Sequence, residues 1–502
     1  MTANATIPPK PLSALGLTAI GGANPMIAGI AVDSREVKRG TLFAAMPGSQ
    51  MHGAEFIQYA LRQEAAAILT DPEGATIAAD VLRDGSSALV VTDDPRGALA
   101  ATAALWFGAQ PQTMVAVTGT NGKTSVASFT RQIWTALGLP AVNLGTTGVE
   151  GAWTAPLGHT TPEPITLHRA LAGAAAAGVT HGAMEASSHG LDQRRLDGVV
   201  IRAAGFTNFT QDHLDYHETF DAYFAAKAGL FTRVLSDGGV AVINIDDPRG
   251  PDMASLAADR GLEVLAVGQS EGARLRLDAQ RFDGTGQDIR LSFDGRPHMV
   301  RLNLLGGFQA ENVLVAAGLV IASGADPVET IRALGTLETV RGRMEHAATR
   351  ANGAAIFVDY AHTPDAVATA LQAMRPHVMG RLVAVVGAGG DRDPGKRPLM
   401  GAAAAEHADV VFVTDDNPRT EDPATIRAAV MAGAPDATEV PDRAEAILRA
   451  VDALGPGDTL LIAGKGHETG QIVGDDVLPF DDVEQASIAV SALDGLGGGE
   501  VW

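Results

Sequence analysis

The chain has 502 residues, 46% of them hydrophobic, a formal net charge of −22 and no cysteine. That length predicts about three domains at roughly 150 residues each, and the lack of cysteine excludes disulfides, thiolate metal sites and a cysteine nucleophile. The acidic balance argues against a general nucleic-acid binder, whose affinity comes from Lys and Arg meeting phosphates.

The N-terminus lacks the basic start and unbroken apolar run of a signal peptide. The most apolar stretches, such as 171–179, fall short of the roughly 20 residues that span a bilayer. A cytoplasmic protein without membrane insertion is expected. Asp33-Ser34-Arg35 and the later Pro47-Gly48 to His52-Gly53 stretch flank a strand ending near Phe43, and taken alone they are as easily structural turns as a binding element. Farther along, apolar runs at 88–92, 114–118, 239–244, 382–387, 410–414 and 459–463 alternate with Ala-rich helical segments, the pattern of an α/β fold with crossover helices. Breaks at Gln110-Pro111-Gln112 and at 339–343 divide the chain into 1–111, 112–342 and 343–502. The 275–302 stretch reads as polar-alternating β-hairpin structure.

Only six of the 37 basic side chains are lysines, so the place of each carries information. Lys123 lies in Gly119-Thr120-Asn121-Gly122-Lys123-Thr124, between a β-branched run and a helix. Backbone N–H groups, a helix N-terminus and an ammonium would converge there on a nucleotide's phosphates, with Thr124 near Mg²⁺. The position six before the lysine is Val117, so the match is to a shorter GxxGKT form. An ordinary strand–turn–helix corner would explain the glycines but not a rare lysine followed by a hydroxyl. Glu185 stands at the expected end of a strand, where a lone carboxylate is more often solvated than a metal ligand. His213 precedes a helix on which Phe220, Tyr223, Phe224, Lys227, Leu230 and Phe231 share one face. A lysine on an apolar stripe either snorkels to solvent or has a partner, because burying an unpaired ammonium is costly.

These motifs, in this order over nearly the whole chain, resemble the Mur ligases, ATP-dependent amide-forming enzymes of peptidoglycan precursor synthesis. The resemblance implies three α/β domains: an N-terminal UDP-binding domain, a central P-loop ATPase-like domain with a parallel sheet, and a C-terminal Rossmann-like domain that takes the amino acid. It implies an ATP site from Gly119, Thr120, Asn121, Gly122, Lys123 and Thr124, joined by Asn312, Arg343, Asp359, His362 and Lys396. Two Mg²⁺ ions are implied, one held by Thr124 and Glu185 and one by His213 and Lys227, the latter carbamylated by CO₂. Lys123, Lys227, Glu185 and His213 would form the catalytic group. Ser34, His52, Thr160, Thr161, Ser187, Gln193 and Arg195 match positions that hold the UDP-sugar and peptide, although many relatives carry Asp in place of His52.

Asp416-Asn417-Pro418-Arg419 is the form that goes, within the family, with meso-diaminopimelate, whereas lysine-adding relatives lack the arginine. Diaminopimelate differs from lysine by a far carboxylate, which a guanidinium can grip in a bidentate pair. Arg392, Asp416, Asn417, Arg419, Gly464 and Glu468 would hold this substrate, with Glu468 receiving its far ammonium. The implied reaction joins meso-diaminopimelate to the γ-carboxylate of D-glutamate in UDP-N-acetylmuramoyl-L-alanyl-D-glutamate through an acyl phosphate. It would be run by a monomer whose partners are small molecules. A lysine-adding enzyme is the nearest alternative, and Arg419 stands against it. A folylpolyglutamate synthase would leave Asp33-Ser34-Arg35 and Arg419 without a role. A guanine-nucleotide switch should carry an Asn/Thr-Lys-x-Asp motif, and no lysine here sits in one.

Overall fold

A computed structural model describes residues 7–48, 51–83, 85, 87–210 and 216–495. The chain forms two compact units, Met1–Arg276 with Leu314–Thr330, and Leu277–Val313 with Ile331–Trp502.

The first unit holds a short antiparallel pairing of Lys10–Pro11 with Met26–Ile27 and two larger sheets. In the smaller, Gly29–Ala31, Thr41–Ala44, Ala67–Thr70 and Ala88–Val91 run parallel in that order. In the larger, Thr113–Thr118 lies between His181–Glu185 and Ile201–Phe206, parallel to both. Ala141–Gly145 continues the sheet beyond His181–Glu185, and Leu235–Asn244 followed by Glu263–Gly268 continues it on the other flank. Every residue of Thr113–Thr118 after the first is buried, as a parallel strand covered on both faces requires. The chain leaves this strand to one side and returns on the other, so a crevice opens at the carboxyl ends of the strands, at Thr118, Glu185 and Phe206.

The helix Lys123–Ala136 starts directly from the phosphate loop. Its N-cap, Gly122, has φ +84° and offers no side-chain cap. The helix Phe220–Gly229 is capped by Thr219, whose hydroxyl accepts from Ala222 N, and it runs into a π-helical turn at Leu230–Val234. Tyr223, Phe224, Lys227, Leu230 and Phe231 are buried, as one shared face predicts. Phe220 departs from that face: at the first turn it is 40% exposed, with the Phe209 ring tilted against it at 4.5 Å between centroids.

In the second unit, Thr459–Ala463 lies between Ala355–Asp359 and Leu382–Val386, parallel to both, with Val410–Val413 and Thr438–Glu439 beyond the latter. Glu345–Thr349 pairs antiparallel on the outer edge. The apolar runs at 382–387, 410–414 and 459–463 place three of these strands within a residue, whereas Glu345–Thr349 and Thr438–Glu439, at the sheet edges, had no such run. Two corrections stand out. The predicted strand at 239 begins earlier, at Leu235, which pairs with Ile201 before a register shift; regular pairing resumes at Val240 opposite Ala203, so the polar residues between interrupt the apolar pattern without ending the strand. The 275–302 stretch forms three strands, Leu275–Asp283, Gly286–Phe293 and Arg296–Leu302. The last two are antiparallel and joined through Asp294 and Gly295 at φ +47° and +79°, the pair of left-handed residues a tight hairpin turn demands.

Candidate active site

The phosphate loop is sewn to the segment after Phe206. Thr120 N donates to Asn208 O (2.9 Å), Asn121 N to Asn208 Oδ1 (2.8 Å), and Thr207 Oγ1 to Asn121 O (2.6 Å). Gly119 has φ +152°, and a Cβ there would lie 1.9 Å from Thr207 Oγ1, so close approach as well as conformation requires glycine. Two lysines converge on its carbonyl. Lys123 Nζ donates to Gly119 O (2.9 Å) and Thr120 O (2.8 Å), and Lys227 Nζ donates to Gly119 O (2.8 Å). Lys227 is 1% exposed and its ammonium lies 4.5 Å from the centroid of the Tyr223 ring. Its burial is thus met by a carbonyl and an aromatic face; it does not snorkel.

Glu185, at the carboxyl end of its strand, is 2% exposed, unlike a solvated surface acid. Thr124 Oγ1 donates to its Oε2 (3.0 Å) and Thr146 N to its Oε1 (2.8 Å). Thr161 Oγ1 donates to Glu185 O (2.9 Å), and Ser187 N donates to Thr161 Oγ1 (3.0 Å). Thr160 joins through a hydroxyl contact with Thr146 (2.9 Å). Arg195 donates from Nη1 to Thr161 O (2.5 Å) and from Nη2 to Gln193 Oε1 (2.7 Å). Burial, with the nearby charge of Arg96, loosens its hold on its proton relative to a free guanidinium. The structure therefore gathers Gly119, Thr120, Asn121, Gly122, Lys123, Thr124, Glu185 and Lys227, and links them to Thr160, Thr161, Ser187, Gln193 and Arg195. His213 lies outside the described residues.

Ser34 occupies a short helical turn, Ser34–Glu36, capped by the Asp33 carboxylate, which accepts from Arg35 N (2.9 Å). His52 has one ring nitrogen committed to its own turn and the other to the cap of the helix Pro72–Ile77. Nδ1 accepts from Ala54 N (3.0 Å), which leaves Nε2 to donate to Asp71 Oδ1 (3.1 Å).

In the second unit the candidate residues sit on loops after the strands ending at Asp359, Val386, Val413 and Ala463. Asp359 Oδ2 accepts from Met344 N (2.8 Å), and the Arg343 guanidinium lies 4.6 Å over the Tyr360 ring. Desolvation pushes the Asp359 carboxyl above the usual range, against the pull of Arg343. His362 Nδ1 donates to Tyr360 O (2.8 Å), and Lys396 Nζ to His362 O (3.3 Å). Arg343, Asp359, His362 and Lys396 thus gather around Tyr360. Asn312 is on the helix Phe308–Ala322, where its Nδ2 donates to Gln309.

Asn417 Nδ2 donates to Glu468 Oε2 (2.8 Å), and Asn417 Oδ1 accepts from Lys465 Nζ (2.7 Å) and Ile472 N (2.9 Å). Burial raises the Glu468 carboxyl, and the bond from Asn417 holds it back. Arg419 has φ +53°, and its backbone is gripped by Ile472 O and Gly474 N, while Nη1 donates to Gly390 O (2.7 Å). A non-glycine residue held left-handed points to a functional constraint. Gly464 has φ +119°, and a Cβ there would lie 2.5 Å from Asp416 Oδ2. Arg392 is exposed beside Asp391, whose carboxyl is held low, chiefly by Thr420.

Several structural partners were not foreseen. Thr146 had a visible signal, a Gly-Thr-Thr turn at a strand end. Tyr223 was seen only as part of an apolar stripe. Lys465, fully buried, was visible as one of six lysines. The fully buried pair Arg443–Asp482, with Nη2 to Oδ2 at 2.6 Å and Nη2 to Ala463 O at 3.0 Å, anchors the strand end before Gly464. Nothing in the local sequence joins two residues on separate helices.

Among the described residues no group of three or more His, Cys, Asp or Glu is placed to hold a metal, and no helix is long and apolar enough to cross a membrane. Three family models match the chain: the Mur ligase family catalytic domain at 26–106, the Mur ligase middle domain at 117–320, and the Mur ligase glutamate ligase domain at 342–466. The UDP-N-acetylmuramoyl-L-alanyl-D-glutamate–2,6-diaminopimelate ligase of Caulobacter vibrioides is 50% identical, covering 94% of this chain and 97% of its own length. The enzyme of that name from Bradyrhizobium diazoefficiens is 50% identical over 93% of this chain and 95% of its own. A solved structure of a ligase of the same name is 34% identical with a TM-score of 0.69, covering 93% of this chain and 95% of that one.

Proposed function

The chain belongs to the Mur ligase family, and from that membership we propose that it joins meso-diaminopimelate to the D-glutamate γ-carboxylate of UDP-N-acetylmuramoyl-L-alanyl-D-glutamate, in peptidoglycan precursor synthesis. ATP is converted to ADP and phosphate, and the product is the tripeptide. The observation that carries this reading is half identity, over nearly the full length, to relatives that bear that activity in their names. The arginine at 419 favours diaminopimelate over lysine. We divide the work among 1–111 for the UDP-substrate, 112–342 for ATP and 343–502 for the amino acid, in a cytoplasmic monomer.

A carboxylate does not condense with an amine at neutral pH, so the acceptor is first phosphorylated by ATP and the amine then displaces phosphate from the acyl phosphate. Two anions must be brought together, a task of positioning and charge neutralisation. The N–H groups at the start of the helix Lys123–Ala136 and the Lys123 ammonium bind the phosphates. The donor set fits Mg²⁺: a hydroxyl and a carboxylate oxygen, Thr124 and Glu185, stand 3.0 Å apart, and Mg²⁺ takes few protein oxygens beside phosphate and water. When bound, the ion neutralises phosphate charge. Carbamylation of Lys227 would turn its buried ammonium into an oxygen donor for a second ion, with His213. Thr160, Thr161, Ser187, Gln193 and Arg195 orient the acceptor peptide, and Ser34 and His52 lie with the UDP end. Arg343, Asp359, His362 and Lys396, with Asn312, serve the rest of the nucleotide. Arg419 and Arg392 grip the far carboxylate of diaminopimelate, while Asn417, Asp416, Gly464 and Glu468 take its ammonium end.

The test is phosphate release with ATP, Mg²⁺ and UDP-N-acetylmuramoyl-dipeptide, comparing meso-diaminopimelate, L-lysine and no amino acid. Release confined to diaminopimelate, with tripeptide seen by mass spectrometry, is expected. Release with lysine would keep the ligase and overturn the reading of Arg419. No release under any condition would remove the reaction itself.

A further inference from the structure

We propose that Lys465 is a positioning residue for the amino-acid substrate: from beneath the Asp416–Arg419 turn it fixes which way the Asn417 amide points, and through that amide it aims the Glu468 carboxylate. The inference rests on the reading of Glu468 as the receiver of the substrate's ammonium.

An asparagine side chain has two opposite ends of equal size, an acceptor and a donor, and its direction is set by what surrounds it. Lys465 is 0% exposed. Its ammonium carries donors only, so the group 2.7 Å away on Asn417 must be the oxygen. Ile472 N, also a donor, meets the same oxygen at 2.9 Å. With Oδ1 taken twice, Nδ2 faces outward and donates to Glu468 Oε2 at 2.8 Å. Lys465 reaches this place because Gly464 and Gly466, both at positive φ, turn the backbone on either side of it. Its second anchor is Gly470 O at 2.8 Å, which ties the loop to the strand Gly470–Val473. Nζ stands 3.8 Å from Glu468 Oε2, beyond a hydrogen bond, so the lysine acts on that carboxylate through Asn417 and through its charge.

A buried ammonium is an expensive way to hold a loop. A methionine of similar length would fill the same space, but it would leave the amide free to turn. The charged groups that bear on Glu468 are Asp416, Lys465 and Arg419, and Glu468 is felt in turn by Tyr360 and Arg443. Removing Lys465 takes away one of its neighbouring cations and the constraint on its hydrogen-bond donor. Both changes favour the protonated carboxyl, which cannot pair with an ammonium.

The experiment compares Lys465→Met, Asn417→Asp and Glu468→Gln in the full chain by steady-state kinetics with each substrate varied across pH. Asn417→Asp keeps an acceptor for Lys465 and Ile472 but turns a second oxygen toward Glu468. Lys465→Met and Asn417→Asp should each raise KM for meso-diaminopimelate roughly tenfold or more. KM for ATP and for the UDP-dipeptide should stay within about twofold, and the acid limb of kcat/KM for the amino acid should move to higher pH. A role confined to holding the fold would raise all three KM values together and leave the acid limb in place, and that result overturns the proposal. If Lys465→Met does not fold, Asn417→Asp decides alone by the same criteria. If Glu468→Gln raises the amino-acid KM while the other two variants leave it unchanged, the inference fails and the reading of Glu468 stands. If Glu468→Gln leaves it unchanged, both fall.

Discussion

Both units carry their candidate residues at the carboxyl ends of parallel strands, beside a switch in strand order, yet the side chains there live in different surroundings. In the first unit Thr124, Glu185 and Lys227 are 5%, 2% and 1% exposed, and they grip one another and the loop backbone directly. In the second, His362 and Arg392 are exposed and Arg419 and Glu468 half-buried. There the closed groups are Asp416 and Asn417 of the 416–419 turn, with Lys465, Arg443 and Asp482 behind them. The contrast separates two tasks. Phosphoryl chemistry is the same for any acceptor and can be built rigidly into the sheet ends. Choosing an amino acid needs groups that meet a ligand at the rim, and these owe their aim to what lies beneath them.

If that separation is right, Lys227→Ala should remove turnover, by on the order of 10³-fold or more. Short carboxylic acids filling the vacated space should restore part of it. Phosphate-release rates with and without such acids check this, and undiminished activity would dismiss the carbamate. Asp482→Ala should leave Arg443 charged, buried and unpaired, costing about 3–5 kcal/mol; urea denaturation reads the loss, and a change near zero would show that the pair is no anchor. Arg419→Ala should raise KM for meso-diaminopimelate by about 10–100-fold with KM for ATP nearly unchanged. Equal losses for both would erase the distinction between the two regions.

The smallest effect concerns His168, buried on the helix Pro164–Ala176, whose Nε2 has no hydrogen-bond partner. Desolvation lowers its pKa from 6.5 to about 4. Its folded value lies below the unfolded one, so the neutral form's stability is fully present above pH 6.5. It is lost as pH falls toward 4, where the unfolded chain binds the proton first. His168→Leu should remove a slope approaching ~1.4 kcal/mol per pH unit from that window. Parallel denaturation curves for the two proteins at pH 7 and pH 5 measure it.

Much of this organisation was legible in the sequence, and the failures have physical causes. Strand positions followed from continuous apolar runs because parallel strands are covered on both faces. The place of Lys227 on the apolar face followed from helical period, which left open whether its ammonium reaches solvent and records a face but not its edge; hence Phe220 was placed inside and lies partly outside. Short-range spacing exposed the phosphate loop, and the resemblance to the Mur ligases singled out the 416–419 turn. Spacing could not show that Glu185 is locked by Thr146, since that contact spans 39 residues, nor that His52 Nε2 meets Asp71, 19 residues on. The Arg443–Asp482 pair was hidden for the same reason: ion pairs across helices leave no period to read.

The scarcity of lysine also makes the folded chain a reporter of its own loosening. An amine-acylating reagent meets exposed Lys38 at once, whereas Lys227 and Lys465, at 1% and 0% exposure, react only when their surroundings open. Partial openings differ in free energy from one segment to another. The order in which these two amines become labelled therefore ranks the phosphate loop against the 464–469 loop on a single scale, with no substitution introduced.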